Sequence, residues 1–338
     1  MKKALRAIHA LSAEGGLVQA VRDLSRSLLL ASLALALWLV YAELGPGQDF
    51  LGYRAFALNL ADYNSARGIY SPPWLGLLVA PLAVLPGRWG YLLLLGLTLA
   101  ASVFAARMLG GKPLVVLLSA QMSWVLWWGQ IDALTLIALS LAILGHTRRS
   151  WPLLAVGLVL AAIKPHVVAV PVIALWWWTP GSRLKSLAAA AALVALSLAV
   201  WGNWPAVLAE RLLPFSRSTN YRPWNATLGP IALPLFLPAL LVPLDRPQRL
   251  LALTATAMLV SPYMPYYSTL LLLMFPLPWP LLALAFLGYL PGLIGTTLAW
   301  KGVVLLPIGV LAWVYLRAAR ASWKPEASRT VAARIDAA

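Results

Sequence analysis

Pro72-Pro73-Trp74-Leu75-Gly76-Leu77-Leu78-Val79-Ala80-Pro81-Leu82-Ala83-Val84-Leu85-Pro86 is the stretch on which the topology of the chain turns. Residues 73–86 are apolar, but Pro81 interrupts them. At 1.5 Å per residue they would reach about 21 Å of a roughly 30 Å hydrocarbon core. That length predicts an interfacial or re-entrant helix. The basic residues give an independent test. If the stretch does not cross, 18 of the 26 Lys and Arg fall inside and 8 outside; if it does, every later loop flips and the count becomes 11 inside and 15 outside. Cytoplasmic loops carry the excess of Lys and Arg, so the non-crossing reading is the consistent one.

Working outward, the composition belongs to a membrane protein. Hydrophobic residues make up 62% of the 338 and charged residues 11%, with a mean hydropathy of +0.82. A soluble domain carries roughly 25% charged residues. A net charge of +16 in so apolar a chain fits cytoplasmic loops rather than nucleic-acid binding. With no cysteine there is no disulfide framework and no thiol chemistry. His9, His146 and His166 make no metal-spaced pair.

Residues 1–27 form a basic amphipathic segment suited to the inner leaflet. An uncleaved first helix follows, with its apolar run from 27 to 44. The further crossings are expected at 89–109, 113–128, 131–145, 151–164, 167–178, 184–201, 228–242, 250–263, 268–277, 279–294 and 303–316. The expectation is thus an all-α polytopic membrane protein of about 12 transmembrane helices, with an interfacial helix in the first outer loop. The membrane domain covers 28–316, a basic tail covers 317–338, and both termini are cytoplasmic.

On this topology the inner loops are basic and the outer ones are different in kind. The first holds Asp49, Tyr53, Arg54, Asp62, Asn64, Arg67 and Tyr70. Later ones hold Gln130 and Asp132, then Lys164 and His166, then the long loop 203–227 with Glu210, Arg211, Arg217, Asn220, Tyr221, Arg222 and Asn225. Ser261-Pro262-Tyr263-Met264-Pro265-Tyr266-Tyr267 comes last. Groups able to hydrogen-bond a ligand collect on one face. On the first loop alone, a site and an ordinary solvated loop stay equally open.

Four stretches, in this order and spacing over roughly residues 45 to 280, resemble the polyprenol-phosphate-mannose-dependent transferases of glycosyltransferase family 87, in the GT-C superfamily. They are Asp49-Phe50 with Tyr53, leading to Gly68-Ile69-Tyr70, Pro72-Pro73 and the short helix; Gly129-Gln130 after a tryptophan-rich helix end; Gly157-Leu158 through Ala161-Ala162-Ile163-Lys164-Pro165; and Ser261-Pro262 with Tyr266-Tyr267. The chain departs from the family in having Asp132 where Asn often follows the Gln, and tyrosines where histidines commonly follow the Ser-Pro.

The resemblance implies a GT-C-like bundle in the plasma membrane that takes a sugar, mannose by family, from a polyprenyl-phosphate donor on the extracytoplasmic side. A lipid-linked or glycan acceptor receives it, and Asp49 is the implied catalytic base. Such chemistry needs a base, groups for the departing phosphate and an apolar groove for the tail. The alternative for Asp49 is a pair with Arg54. Lys164 with His166, and Arg217 with Arg222, are the phosphate candidates, since a charge within the bilayer is costly and Arg grips phosphate in a bidentate fashion. Arg211 is equally well a loop charge.

Tyr53, Arg54, Asp62, Tyr70, Gln130, Asp132, Tyr263, Tyr266 and Tyr267 are the substrate candidates. Against them stand turn or capping roles for Asp62, Gln130 and Asp132, and belt roles for the tyrosines and for Trp124, Trp127 and Trp128. No cofactor or metal ligand set is expected, with a divalent ion left open. A transporter or flippase, or a non-catalytic assembly subunit, are the competing functions.

Overall fold

The computed structural model describes residues 47–63, 69–219, 225, 227–289 and 302–322. The expected segment 1–27, the first helix and the end of the tail lie outside the described residues. The described chain is helical with no strand; Asn225 and Pro265 form an isolated antiparallel bridge.

Helices α1 (Gln48–Leu58) and α2 (Trp74–Ala83) pack side by side. Ten residues make α2 about 15 Å long, short of a bilayer core. Pro86 then precedes α3 (Gly87–Leu109), which runs 23 residues to a left-handed Gly110.

The crossing expected at 113–128 is two helices, α4 (Pro113–Leu118) and α5 (Ala120–Trp128). Ser119 between them is extended, and its hydroxyl accepts from the Met122 amide at 3.2 Å, so the residue caps α5 rather than continuing α4. After Gly129 the chain turns through 119° into α6 (Asp132–Arg148).

Helix α7 (Trp151–Ala161) returns along α6, and α8 (Pro165–Trp177) leads away again, with Pro165 opening the new helix. Helix α9 (Arg183–Trp201) packs on α7 and leaves most of its surface bare, Leu184 being 81% exposed.

The expected loop 203–227 is largely a helix, α10 (Trp204–Thr219). Its Trp204, Val207 and Leu208 pack on the core, and Trp204 sets its edge against Trp74 at 5.3 Å between ring centroids, so apolar anchors hold as helix a segment whose charges suggested a loop. A 3-10 stretch, Gly229–Leu235, runs into α11 (Phe236–Leu241).

Asp245 and Gln248 form a capping box that starts α12 (Arg246–Val260). This helix is the centre of the bundle: residues 250–259 are all buried, and it packs on α8, α11 and the last helix. The chain ends through a 3-10 turn, Tyr266–Thr269, then α13 (Leu270–Leu273), α14 (Trp279–Leu284) and α15 (Leu305–Ser322).

Among the described residues, three helices are long and apolar enough to cross a membrane: Gly87–Leu109, Pro180–Trp201 and Gly302–Arg320. The bent pair α5 and α6 is a fourth if counted as one span, and the other apolar helices run 10–17 residues. The molecule is therefore an all-α membrane protein with many short helices. Their ends fall into two groups. The starts of α6 and α8 meet the Tyr266–Thr269 turn at one end of the bundle, and the start of α1 lies against the α5–α6 turn beside them. The C-terminal parts of α3, α6 and α8 and the middle of α15 meet the start of α12 at the other, around a cavity of about 580 Å³. Helix α6, 17 residues and about 25 Å, joins the two.

Candidate functional site

The first group of helix ends is drawn together by two glycines. A Cβ on Gly47 would lie 2.5 Å from the Trp128 carbonyl carbon, and one on Gly129 would lie 2.7 Å from the Phe50 Cβ. Gly129 also has φ +68°, a conformation costly for other residues. With no side chains at either position, the start of α1 rests on the backbone of the α5–α6 turn. Asp49, in the first turn of α1, thereby comes beside Gln130.

A continuous polar chain follows. The Gln130 Nε2 amide donates to Asp49 Oδ2. Gln130 Oε1 accepts from Lys164 Nζ at 2.7 Å and from the Tyr53 hydroxyl at 3.3 Å. Lys164 Nζ also donates to Asp132 Oδ2 at 2.5 Å, and Asp132 Oδ1 accepts from Ser268 at 2.9 Å. Lys164 is 8% exposed and Asp132 2%, so this is a buried ion pair with its oxygens satisfied. The Lys164 ammonium lies 5.4 Å from the centre of the Tyr267 ring.

The direction of the chain is dictated by Lys164. An ammonium only donates, so the carbonyl end of Gln130 must face it and the NH₂ end must face Asp49. Asp49 is half-buried, and its carboxyl is pushed above the usual Asp range, chiefly by burial. Lys164 and the Gln130 hydrogen bond act in the opposite direction, and Asp132 adds to the rise. Burial, then Asp49 and Asp132, push the Tyr53 phenol well above its ordinary value, so it remains a donor.

The sequence candidates thus divide. Asp49, Tyr53, Gln130, Asp132, Lys164 and Tyr267 are brought together. His166 sits in the first turn of α8, its ring 6.1 Å from that of Tyr263, with a buried Nε2 that has no hydrogen-bond partner among the described residues. Tyr266 is core, edge-on to Trp124 at 5.8 Å and to Tyr267 at 5.9 Å.

Arg54 does not pair with Asp49; its Nη2 reaches the Leu85 carbonyl at 3.5 Å. Asp62 is exposed on the turn after α1, and Tyr70 is half-buried within the field of Arg211. Arg211 itself donates to the Tyr63 carbonyl at 2.9 Å and lies over the Tyr63 ring. The Arg217 side chain and the whole of Arg222 lie outside the described residues. Asp132 does not cap α6; Ile131 holds the cap position, and the carboxylate turns to Lys164.

Sequence reasoning missed Ser268 and the joint role of Gly47 and Gly129. Ser268 follows Tyr266-Tyr267 directly, and Gly129 precedes Gln130, so both were adjacent to residues already singled out. Ser71 was also missed: its hydroxyl donates to the Ile163 carbonyl at 3.0 Å and ties the entrance of α2 to the α7–α8 break. Among the described residues no group of three His, Cys, Asp or Glu is placed to hold a metal ion. Comparisons with protein-family models, with curated proteins and with solved structures return no match.

Proposed function

We propose that the chain is a membrane glycosyltransferase. It moves a sugar, mannose by resemblance, from a polyprenyl-phosphate donor to a lipid-linked or glycan acceptor at the extracytoplasmic face of the plasma membrane, in a bundle of about 12 crossings with α1 and α2 at the interface. The observation that carries the reading is the chain Asp49–Gln130–Lys164–Asp132. It holds one half-buried carboxylate at a fixed angle on the ends of short helices, as a base needs. A carboxyl with a raised titration point takes a proton more readily than an ordinary Asp.

In the reaction the acceptor hydroxyl gives its proton to Asp49 as its oxygen bonds to the sugar's anomeric carbon. The bond from that carbon to the phosphate oxygen breaks, and polyprenyl phosphate leaves with the electron pair. Lys164 uses two of its three N–H groups on Asp132 and Gln130, which leaves a third for the departing phosphate. His166, Arg217 and Arg222 are the further candidates there, and Tyr53, Tyr263 and Tyr267 line the sugar's side.

The test is transfer of radiolabelled sugar from a synthetic polyprenyl-phosphate mannose by purified protein. Asp49→Asn should abolish transfer while the protein stays folded and inserted. Equal transfer by wild type and variant would remove Asp49 from the chemistry, and no release of sugar from the donor with any acceptor would remove the enzyme.

A transporter is the second reading, favoured by one observation: the buried Lys164–Asp132 pair lies where α7 breaks into α8, and broken helices around intramembrane charges are common in transporters. Uptake of a solute into proteoliposomes that Asp132→Asn stops, with no sugar transfer, would select it.

A further inference from the structure

The cavity at the end of the bundle away from Asp49 takes no part in the proposed reaction. It holds about 580 Å³, within the range of ligand sites, and is lined by the C-terminal parts of α3, α6 and α8, the start of α12 and the middle of α15. Its inner wall is apolar, with Leu175, Leu250, Leu251 and Phe275 buried. Its mouth is cationic. Arg246 and Arg317 are both exposed there, and neither is in an ion pair with a described residue. The acid at the mouth, Asp245, is already engaged as the cap of α12, its Oδ1 accepting from the Gln248 amide at 2.8 Å. His146 is turned to Thr179 at 2.8 Å.

Apolar depth below a pair of exposed guanidiniums fits one class of molecule: an amphiphile with a hydrocarbon tail and an anionic phosphate head. We infer that this cavity binds an anionic phospholipid, its acyl chain between α8, α12 and α15 and its phosphate on Arg246 and Arg317. A free phosphate would leave the apolar wall empty, and a zwitterionic lipid would bring a cation against the two arginines. The site stands about one length of α6 from the Lys164 cluster, so its occupancy is independent of the transferase reading.

Full-length protein in neutral detergent is mixed with phosphatidylglycerol carrying a photoactivatable acyl chain, irradiated and mapped by peptide mass spectrometry. Phosphatidylcholine with the same chain, and inorganic phosphate as competitor, are run alongside. Phosphatidylglycerol should label the peptides holding Leu250–Leu251, Phe275 and Trp313, and phosphatidylcholine about thirtyfold less, as expected for two cations near a lipid surface. Arg246→Gln with Arg317→Gln should bring phosphatidylglycerol down to the phosphatidylcholine level, and inorganic phosphate should not compete.

Equal labelling by the two lipids, labelling untouched by the double substitution, or labelling spread evenly over the helices would each overturn the inference. So would competition by inorganic phosphate, which marks an ion site. Cross-linking of the cavity to residues 1–46 in place of lipid would show that the chain fills it itself. Because the lipid comparison uses the unaltered protein, a variant that failed to fold would not remove the test.

Discussion

At the scale of single residues, Lys164 holds the candidate site together. It neutralises Asp132 in a buried pair and fixes which end of Gln130 meets Asp49. Removing it leaves Asp132 charged and alone in the interior, a change that costs about 3–5 kcal/mol when one partner of a buried pair is lost. Lys164→Met should therefore lower the melting temperature sharply, and adding Asp132→Leu should recover most of the loss; no recovery in the double variant would show that the pair is not what stabilises this region.

Asp49 behaves in the opposite sense. Its carboxyl titrates higher in the fold than in the unfolded chain, so its contribution to stability is fullest below the ordinary Asp range and is lost as pH rises through the folded value. At neutral pH the charge is a burden. Asp49→Asn should thus melt no lower than wild type while transfer falls by about 10²–10⁴-fold, the usual worth of a general base. Gln130→Leu removes a hydrogen bond that favours the carboxylate, so the acid limb of the transfer rate should move to higher pH. An unmoved limb would disconnect Gln130 from Asp49.

The sequence made Asp49 and Lys164 legible as costly charges beside apolar runs. Their connection was not, because hydrogen bonds between residues 32 to 136 positions apart leave no trace in local pattern. Asp132 illustrates the limit: at the start of a helix it resembled a cap, and only the break between α7 and α8 shows where its carboxylate goes.

At the scale of elements, the contact between α1 and the α5–α6 turn decides whether the site exists. Gly129→Ala adds a methyl group 2.7 Å from the Phe50 Cβ in a left-handed conformation, and overpacking of this kind costs about 1–3 kcal/mol. Its expected signature is a loss of transfer far larger than the loss of thermal stability, since α1 must lift and carry Asp49 with it. A variant that melts early and keeps full activity per folded molecule would contradict this. Helix identity was legible from apolar runs, and the shortness of α2 followed from counting residues. The division of α4 from α5 was not, because a run of apolar residues shows no period that distinguishes one helix from two. Ser119 was its single local sign. In α10 the failure ran the other way: charged residues drew attention from the Trp204, Val207 and Leu208 face that fixes it as a helix.

At the scale of the whole molecule, the sorting of helix ends into two groups is what the count of Lys and Arg was about. The ends around Arg246 and Arg317 are those expected inside, and the Asp49 group holds those expected outside. Which group faces which side of a membrane is open to direct measurement, because the chain has no cysteine of its own. Asp62→Cys and Arg148→Cys fall on exposed residues near opposite ends. In intact cells a membrane-impermeant maleimide should label the first and spare the second; the reverse pattern would invert the topology and place Asp49 in the cytoplasm.

The brevity of α7 and α8 bears on how such a reaction meets lipid. At 11 and 13 residues they measure about 16 and 20 Å, roughly 10 Å less than the hydrocarbon they would stand in, and a bilayer accommodates a short protein by thinning around it. Such thinning would draw the surrounding leaflet down toward the depth of the α7–α8 break, where Lys164 lies buried. Under the proposed transfer, a water-borne acceptor would descend to meet a greasy donor that never has to leave its own depth.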